Sequence, residues 1–308
     1  MILCCGEALI DMVPVEGANG ESTYAPLSGG AVFNTSIALG RLELPVKFLS
    51  GISNDLFGEQ LVNELHASNV ATDLLIRSKR PTTLAFVKLI DGHAQYTFYD
   101  ENSAGRMIET SELPLVGSDV EALYFGGISL CVDPAATTYE NLATREGGQK
   151  VVMVDPNIRI SFIDDEDAYR GRIDRMIAVA DIVKTSDEDL DWMIPGDIPL
   201  ETKVSELHKK GAGIVILTKG SKGAEAHVQG QDPVFVSAPK VTVADTVGAG
   251  DTFNAGFLAQ LHKLGLLNKA ALQNIDGDSL GQALEFAAKV AAITVSRSGA
   301  NPPYLSEL

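Results

Sequence analysis

Short apolar runs recur along the 308-residue chain at 2–10, 46–50, 122–130, 151–154, 182–184 and 214–217. Each has strand length and little polar alternation, the pattern of a strand buried on both faces of a sheet. Helix-length segments, among them 56–67 and 173–180, stand between most of these runs. Strands that alternate with helices pair in parallel through right-handed crossovers. The chain is therefore expected to form an α/β fold around a doubly wound, mostly parallel sheet. A hydrophobic fraction of 45% can fill such a core. No repeat, linker or low-complexity tract divides the sequence, so one domain over 1–308 is expected.

Two segments break the alternation. Residues 13–28 carry Pro14, Gly17, an Asn19-Gly20 turn signal and an alternating stretch from Thr23 to Pro26, which reads as a hairpin. Residues 83–90 and 93–99 form a clearer hairpin, joined by Asp91-Gly92. Inserted at about 12–28 and 82–101, these strands predict a small sheet that projects from the core.

The charge balance excludes some partners. With 24 Lys and Arg against 41 Asp and Glu, the net charge is −17 and no basic cluster appears. Nucleic acid and anionic membrane surfaces are therefore poor partners. A bound phosphate must be held locally, by backbone amides, a few cations and a metal ion. Cys4, Cys5 and Cys131 lack metal-ligand spacing and read as reduced core residues. With neither a signal-like N-terminus nor a long apolar run, the expectation is a soluble, cytoplasmic protein.

Residues 245–251, Asp-Thr-Val-Gly-Ala-Gly-Asp, run into a segment where Phe253, Phe257, Leu258 and Leu261 recur with helical period. The glycine turn should thus be the lip of a helix, where unpaired N–H groups and the helix dipole favour an anion. A carboxylate beside such a lip would repel the anion. Asp251 fits there as a general base, taking the proton of a hydroxyl held between it and a nucleotide's terminal phosphate, with the Gly248, Ala249 and Gly250 amides absorbing developing charge. The alternative is an ordinary N-capping Asp. Other motifs follow strands: Asp11 after the first, Asp155-Pro156-Asn157-Ile158-Arg159 after another, Lys184 to Asp189 after a third, and Thr218-Lys219-Gly220-Ser221-Lys222-Gly223 after a fourth. In open α/β sheets ligands gather at these carboxyl ends. Capping, an Arg–carboxylate pair within the fold, acidic bias in a first helical turn and a plain hairpin turn are the respective structural alternatives. Walker A, dinucleotide, Gly-x-Ser-x-Gly and His-x-x-x-His patterns do not occur.

Over nearly its whole length the chain resembles the ribokinase-like (pfkB-type) carbohydrate kinases, whose signature D-T-x-G-A-G-D matches 245–251. The resemblance implies a three-layer α/β/α core with a small β-sheet lid, ATP as phosphoryl donor and a free sugar as acceptor. It gives Asp251 the role of base and Gly248, Ala249, Gly250 and Arg159 that of phosphoryl stabilisers. Asp11, Gly29, Gly30, Asn34 and Asn157 would hold the sugar. Lys184, Ser186, Thr218, Gly220 and Gly223 would hold the nucleotide, and Asp189 would organise water around Mg²⁺, with Glu188 as its competitor. Backbone carbonyls of the closing loop 294–300, with those near Asp245 and Val247, suggest K⁺. Ala31 and Val32 replace the Lys-Gly of members that act on phosphorylated sugars. D-P-N-x-R and the aromatic lid strand look most like fructokinases, with 2-keto-3-deoxygluconate and ribose as the other acceptors. A lid face bearing Tyr96, Phe98 and Tyr99 would be covered by a partner's lid in a homodimer, or would pack on the core. The alanine-rich last helix, about 280–295, is expected to lie beside an adenine. A catalytically silent binder on the same fold, and an oxidoreductase, are the readings from other classes.

Overall fold

The computed structural model describes residues 1–90 and 93–308; the Asp91-Gly92 turn lies outside the described residues. The strands, in chain order, are β1 (Ile2–Cys5), β2 (Leu9–Glu16), β3 (Ser22–Gly29), β4 (Val46–Leu49), β5 (Gly51–Ser53), β6 (Val70–Ala71), β7 (Ile76–Ser78) and β8 (Leu84–Ile90). They continue with β9 (His93–Tyr99), β10 (Ala122–Gly126), β11 (Val151–Asp155), β12 (Ile182–Ser186), β13 (Ile214–Thr218), β14 (Ala224–Val228) and β15 (Val234–Val236). The helices are α1 (Ala31–Arg41), α2 (Leu56–Ala67), α3 (Ala135–Glu146), α4 (Glu166–Val179), α5 (Asp187–Met193), α6 (Leu200–Lys210), α7 (Ala249–Lys263), α8 (Lys269–Leu272) and α9 (Gly277–Val295).

Among the described residues the large sheet runs β15-β14-β13-β12-β11-β10-β1-β4-β6. Its pairings are parallel from β6 through to β13, and antiparallel only at β13–β14 and β14–β15. Successive strand residues face opposite sides, and the core divides accordingly. Cys4, Phe48, Tyr124 and Met153 pack under α1, α2, α7 and α9, whereas Cys5, Phe125, Val154 and Val183 pack under α3, α4 and α6. The result is three layers with the sheet in the middle. All three cysteines are buried and free, and burial pushes their thiols up.

A separate sheet, ordered β3-β2-β8-β9, combines two antiparallel hairpins joined through a parallel β2–β8 pairing. Here the structure departs from the sequence reading in three places. The apolar run 2–10 is two strands, because the chain leaves the large sheet at Gly6 and Glu7 and re-enters the small one at Leu9; Asp11 lies within β2 rather than at the carboxyl end of a core strand. Tyr96, Phe98 and Tyr99 do not share a face, since strand side chains alternate. Phe98 meets core Phe162 at 4.8 Å and Tyr96 stacks on Phe98, while Tyr99 joins Phe86 and Tyr24 on the opposite side. The alanine face of α9 is taken up by protein: a Cβ placed on Gly256 of α7 would stand 2.8 Å from the Ala287 Cα, so the two helices are in close contact there.

Candidate active site

The small sheet overhangs the carboxyl ends of β1, β10 and β11, and between them lies a cavity of about 330 Å³. Asp11, Gly30, Asn34, Asn157, Arg159, Gly248, Ala249, Gly250 and Asp251 line it, together with Glu7, Ile128, Tyr96 and Phe98.

The local sequence explains this convergence. Helix α7 begins at Ala249 because Gly248 takes the left-handed conformation, φ 77°, which glycine adopts without strain. Asp251 then falls in the first turn, where the unpaired N–H groups lie. It is not the N-cap, and no capping bond from its side chain is present; its Oδ2 instead accepts from Asn34 Nδ2 at 2.9 Å, while its carbonyl accepts from Thr35 Oγ1 at 3.2 Å. Helix α1 starts after Gly29 and Gly30, and Gly29 has no Cβ where the Asp11 carboxylate packs. After β11, Pro156 keeps Asp155 extended and Asn157 takes φ 43°, a left-handed value that Asn tolerates better than most residues. That bend turns Asn157 and the exposed Arg159 toward the cavity.

Asp251 is 7% exposed. Burial pushes its carboxyl up to about 7; nearby Asp155 and Glu7 add to the rise, and the Asn34 amide and Lys184 ammonium hold it back. Burial likewise pushes Asp11 up to about 6. A carboxylate with such a value is poised to exchange a proton near neutral pH.

Lys184 does not line the cavity but reaches it from behind. Its Nζ lies 3.2 Å from where a Cβ on Gly250 would be, so the ammonium sits against the anion turn. There it is paired with buried Asp155 at 2.9 Å. Asp155 Oδ2 also accepts from Asn254 Nδ2 at 2.7 Å, and the same amide donates to Tyr124 Oη at 2.9 Å. In the sequence Asp155 stands in a motif with no role of its own, and Asn254, Tyr124 and Glu7 carry no motif at all. The only advance signal was a polar residue inside an apolar run.

The other expected nucleotide contacts lie further along the same sheet edge, outside the cavity lining. Ser186 pairs in register with Thr218, and Thr218 Oγ1 donates to the Thr185 carbonyl at 3.3 Å. Gly220 and Gly223 form the turn of the antiparallel β13–β14 hairpin, both with positive φ. Ser186 caps α5 by accepting from Asp189 N–H at 3.0 Å. Glu188 is exposed, whereas Asp189 is half-buried. Burial and the Asp155 charge raise the Asp189 carboxyl, and Lys184, Ser186 and Arg159 hold it back. At the chain's close, Ala244 and Asp245 N–H groups donate to the Val295 carbonyl, and Asp245 Oδ2 accepts from Gly299 N–H at 2.9 Å, which ties the closing loop to the anion turn. Among the described residues no helix is long and apolar enough to cross a membrane.

A buried carboxylate at a helix lip, an ammonium behind that lip and a cavity of small-molecule size lined by polar groups before it suit phosphoryl transfer to an alcohol. Comparison with known proteins makes the class specific. The family model "pfkB family carbohydrate kinase" matches residues 1–307. A curated fructokinase of Rhizobium leguminosarum bv. trifolii is 50% identical over 281 residues, 91% of this chain and 85% of that protein. A crystal structure of fructokinase with bound ATP from Xylella fastidiosa superposes with a TM-score of 0.91 at 28% identity, covering 99% of this chain and 96% of the other. A Vibrio cholerae O395 fructokinase in a form with fructose, ADP and calcium ion bound gives 0.83 at 25% identity, over 97% and 94%. The chain belongs to the pfkB family of carbohydrate kinases, and its activity is ATP-dependent transfer of a phosphoryl group to a sugar.

Proposed function

We propose that the acceptor is fructose and that Asp251 removes the proton from its hydroxymethyl group. The observation that carries this reading is the Asp251 carboxyl itself, buried at the lip of α7, open to the cavity and raised to about 7. The Gly248, Ala249 and Gly250 amides stabilise charge on the transferring phosphoryl group, with Arg159 in front and Lys184 behind. Asp11, Asn34, Asn157 and the Gly29-Gly30 backbone hold the sugar hydroxyls. Thr218, Gly220, Gly223 and Ser186 extend the nucleotide site along the sheet edge.

The cavity wall also speaks against an acidic acceptor. Among the described lining residues Glu7, Asp11 and Asp251 are carboxylic and Arg159 alone is cationic, so a sugar acid would meet like charge. Fructose carries none. The 50% identity to a curated fructokinase points the same way.

The residues present suit a hydrated magnesium ion. Among the described residues no group of three or more His, Cys, Asp or Glu could hold a metal, yet Asp155 Oδ1 is buried without a partner and Asp189 lies close to it. These two carboxylates would hold the ion through water, alongside phosphate oxygens. When bound, it neutralises charge on those oxygens. K⁺ within the 294–300 loop and a cytoplasmic location belong to the same reading. So does a homodimer through the lid, with Tyr24, Phe86 and Tyr99 as the covered face.

ADP release from Mg-ATP across fructose, ribose, 2-keto-3-deoxygluconate and fructose phosphates, each against a sugar-free blank, tests the proposal. Stimulation by fructose at least tenfold above the other acceptors is expected. Stimulation by the sugar acid alone would overturn the choice of acceptor, and sugar binding without any ADP release would favour the silent binder.

A further inference from the structure

Glu7 is an acid buried where the chain crosses from the large sheet to the small one, and no ion pair among the described residues accounts for it. It is 9% exposed and lines the cavity. Its Oε1 accepts from the Ala31 N–H at 2.9 Å, its Oε2 from the Ser129 N–H at 3.3 Å, and its carbonyl from the Phe33 N–H at 3.2 Å. Ala31 opens α1, the helix that carries Asn34. Ser129 lies in the turn after β10, which puts Gly127 and Ile128 into the cavity wall. One side chain therefore ties together two backbone segments that form the cavity's floor. Its slot is built for it: Gly127 has φ 65°, and a Cβ there would occupy the space of Glu7 Oε1.

We propose that Glu7 is a positioning residue for the sugar and for the base. Its carboxylate anchors the start of α1, so that the Gly30 backbone meets the sugar and the Asn34 amide meets Asp251. Its charge contributes to the environment of Asp251. The inference rests on the proposed reading of the cavity as the sugar site. The 2.9 Å bond from the Ala31 N–H to a buried carboxylate is of the strong, charge-assisted kind, the Ser129 bond at 3.3 Å is the weaker partner, and α1 has no other side-chain cap. Replacing the carboxylate by an amide keeps one acceptor but sets an NH2 against the other N–H, so one buried donor loses its partner and one of the two segments is released.

The electrostatic surroundings give a second handle. Asp251 is faced by Glu7 from the β1–β2 crossover, Asn34 from α1, Asp155 from β11 and Lys184 from β12, and it shares the cavity with Asp11 and Arg159. Burial holds the Glu7 carboxyl itself above the ordinary range and the Ser129 and Ala31 N–H groups hold it back, so its charge on Asp251 is fully present only on the alkaline side of its own titration; Cys131, Tyr124 and Tyr139 lie near it. Of the groups around Asp251, Glu7 and Asp155 hold its carboxyl up. Neutralising Glu7 therefore lowers it.

Glu7→Gln and Glu7→Asp test this in the full-length protein, with fructose affinity measured calorimetrically without nucleotide and turnover measured separately as a function of pH. For Glu7→Gln the expected result is fructose binding weakened at least tenfold, the KM for ATP within twofold of the parent, and the acid limb of kcat moved to lower pH. Glu7→Asp keeps the charge but is too short to reach both N–H groups, so fructose binding weakens while the acid limb stays in place; it also supplies the readout if the glutamine variant does not fold. Parent-like fructose affinity in both variants, or equal losses for fructose and ATP as in a general loosening of the fold, would overturn the proposal. If the parent binds fructose but releases no ADP, and Glu7→Gln still weakens binding, the role of Glu7 stands and the kinase assignment of the site fails.

Discussion

Replacing Asp251 by asparagine should make the protein more stable and nearly inactive at once, and the size of both effects follows from its burial. In the folded chain the carboxyl sits at about 7 against an ordinary value of 3.8. The folded state therefore holds the proton more tightly than the unfolded chain does. The resulting destabilisation is absent below pH 3.8, grows as pH rises, and is complete above about pH 7. A rise of about three pH units at about 1.4 kcal/mol each gives about 4 kcal/mol. Asparagine has the same shape, keeps an oxygen for the Asn34 amide, and carries no charge to bury. For 308 residues the unfolding entropy is about 0.65 kcal/mol/K, so the gain corresponds to about 6 °C in Tm. Thermal unfolding of parent and Asp251→Asn at pH 8 and pH 4 is the assay, paired with ADP release at saturating fructose. We expect the Tm gain at pH 8, almost none at pH 4, and a fall in kcat of roughly 10²-fold or more, the scale of a lost general base. Equal Tm values at pH 8 would refute the burial argument; near-normal turnover would refute the role of base.

Three further perturbations probe the surrounding groups. Turnover of the parent should rise with pH through about 7, as Asp251 loses its proton; in Asn34→Ala the lost hydrogen bond to a charged acceptor, about 1.5–3 kcal/mol, should move that limb up by about one to two pH units, and a limb that stays put or moves down would refute the coupling. Lys184→Met should destabilise the fold by about 3–5 kcal/mol, because it strands buried Asp155, whereas the double variant Asp155→Asn/Lys184→Met should recover most of that loss in chemical denaturation while turnover stays low; recovery of both would show that the pair is purely structural. Phe98→Ala removes the lid's contact with Phe162 and should raise the KM for fructose together with sugar-independent ATP hydrolysis; unchanged values for both would mean that the contact does not govern closure.

The sheet was legible because burial on both faces leaves unbroken apolar runs, and Val151–Asp155 and Ile214–Thr218 extend only one residue beyond the runs seen in sequence. The start of α7 was legible because two glycines stand directly ahead of a stripe of helical period, and the helix indeed opens at Ala249. The residues missed were those whose partners are remote in sequence. Glu7 sits in a stretch that reads as one strand, and only the folded chain shows that the two strands separate there to present its carboxylate to Ala31 and Ser129. Asn254 falls on an apolar helix as an ordinary interruption, yet its contacts, Tyr124 and Asp155, are 130 and 99 residues away. Periodicity places Tyr96 and Phe98 on one face and Tyr99 on the other, but not which face meets the core.

The bond from Gly299 to Asp245 sets an order of events as the protein is made. Asp245 holds the Val247 N–H with one oxygen and the Gly299 N–H with the other, and a Cβ on Gly248 would stand 2.7 Å from that of Ala300. The anion turn is thus braced by residues translated about fifty codons after it. A chain still on the ribosome can carry Asp251, the small sheet and much of the large one, yet lacks the residues that brace the turn before α7. The start of α7 therefore takes up its full set of contacts only after residues 295–300 have been made and docked, which makes it one of the last parts of the fold to be completed.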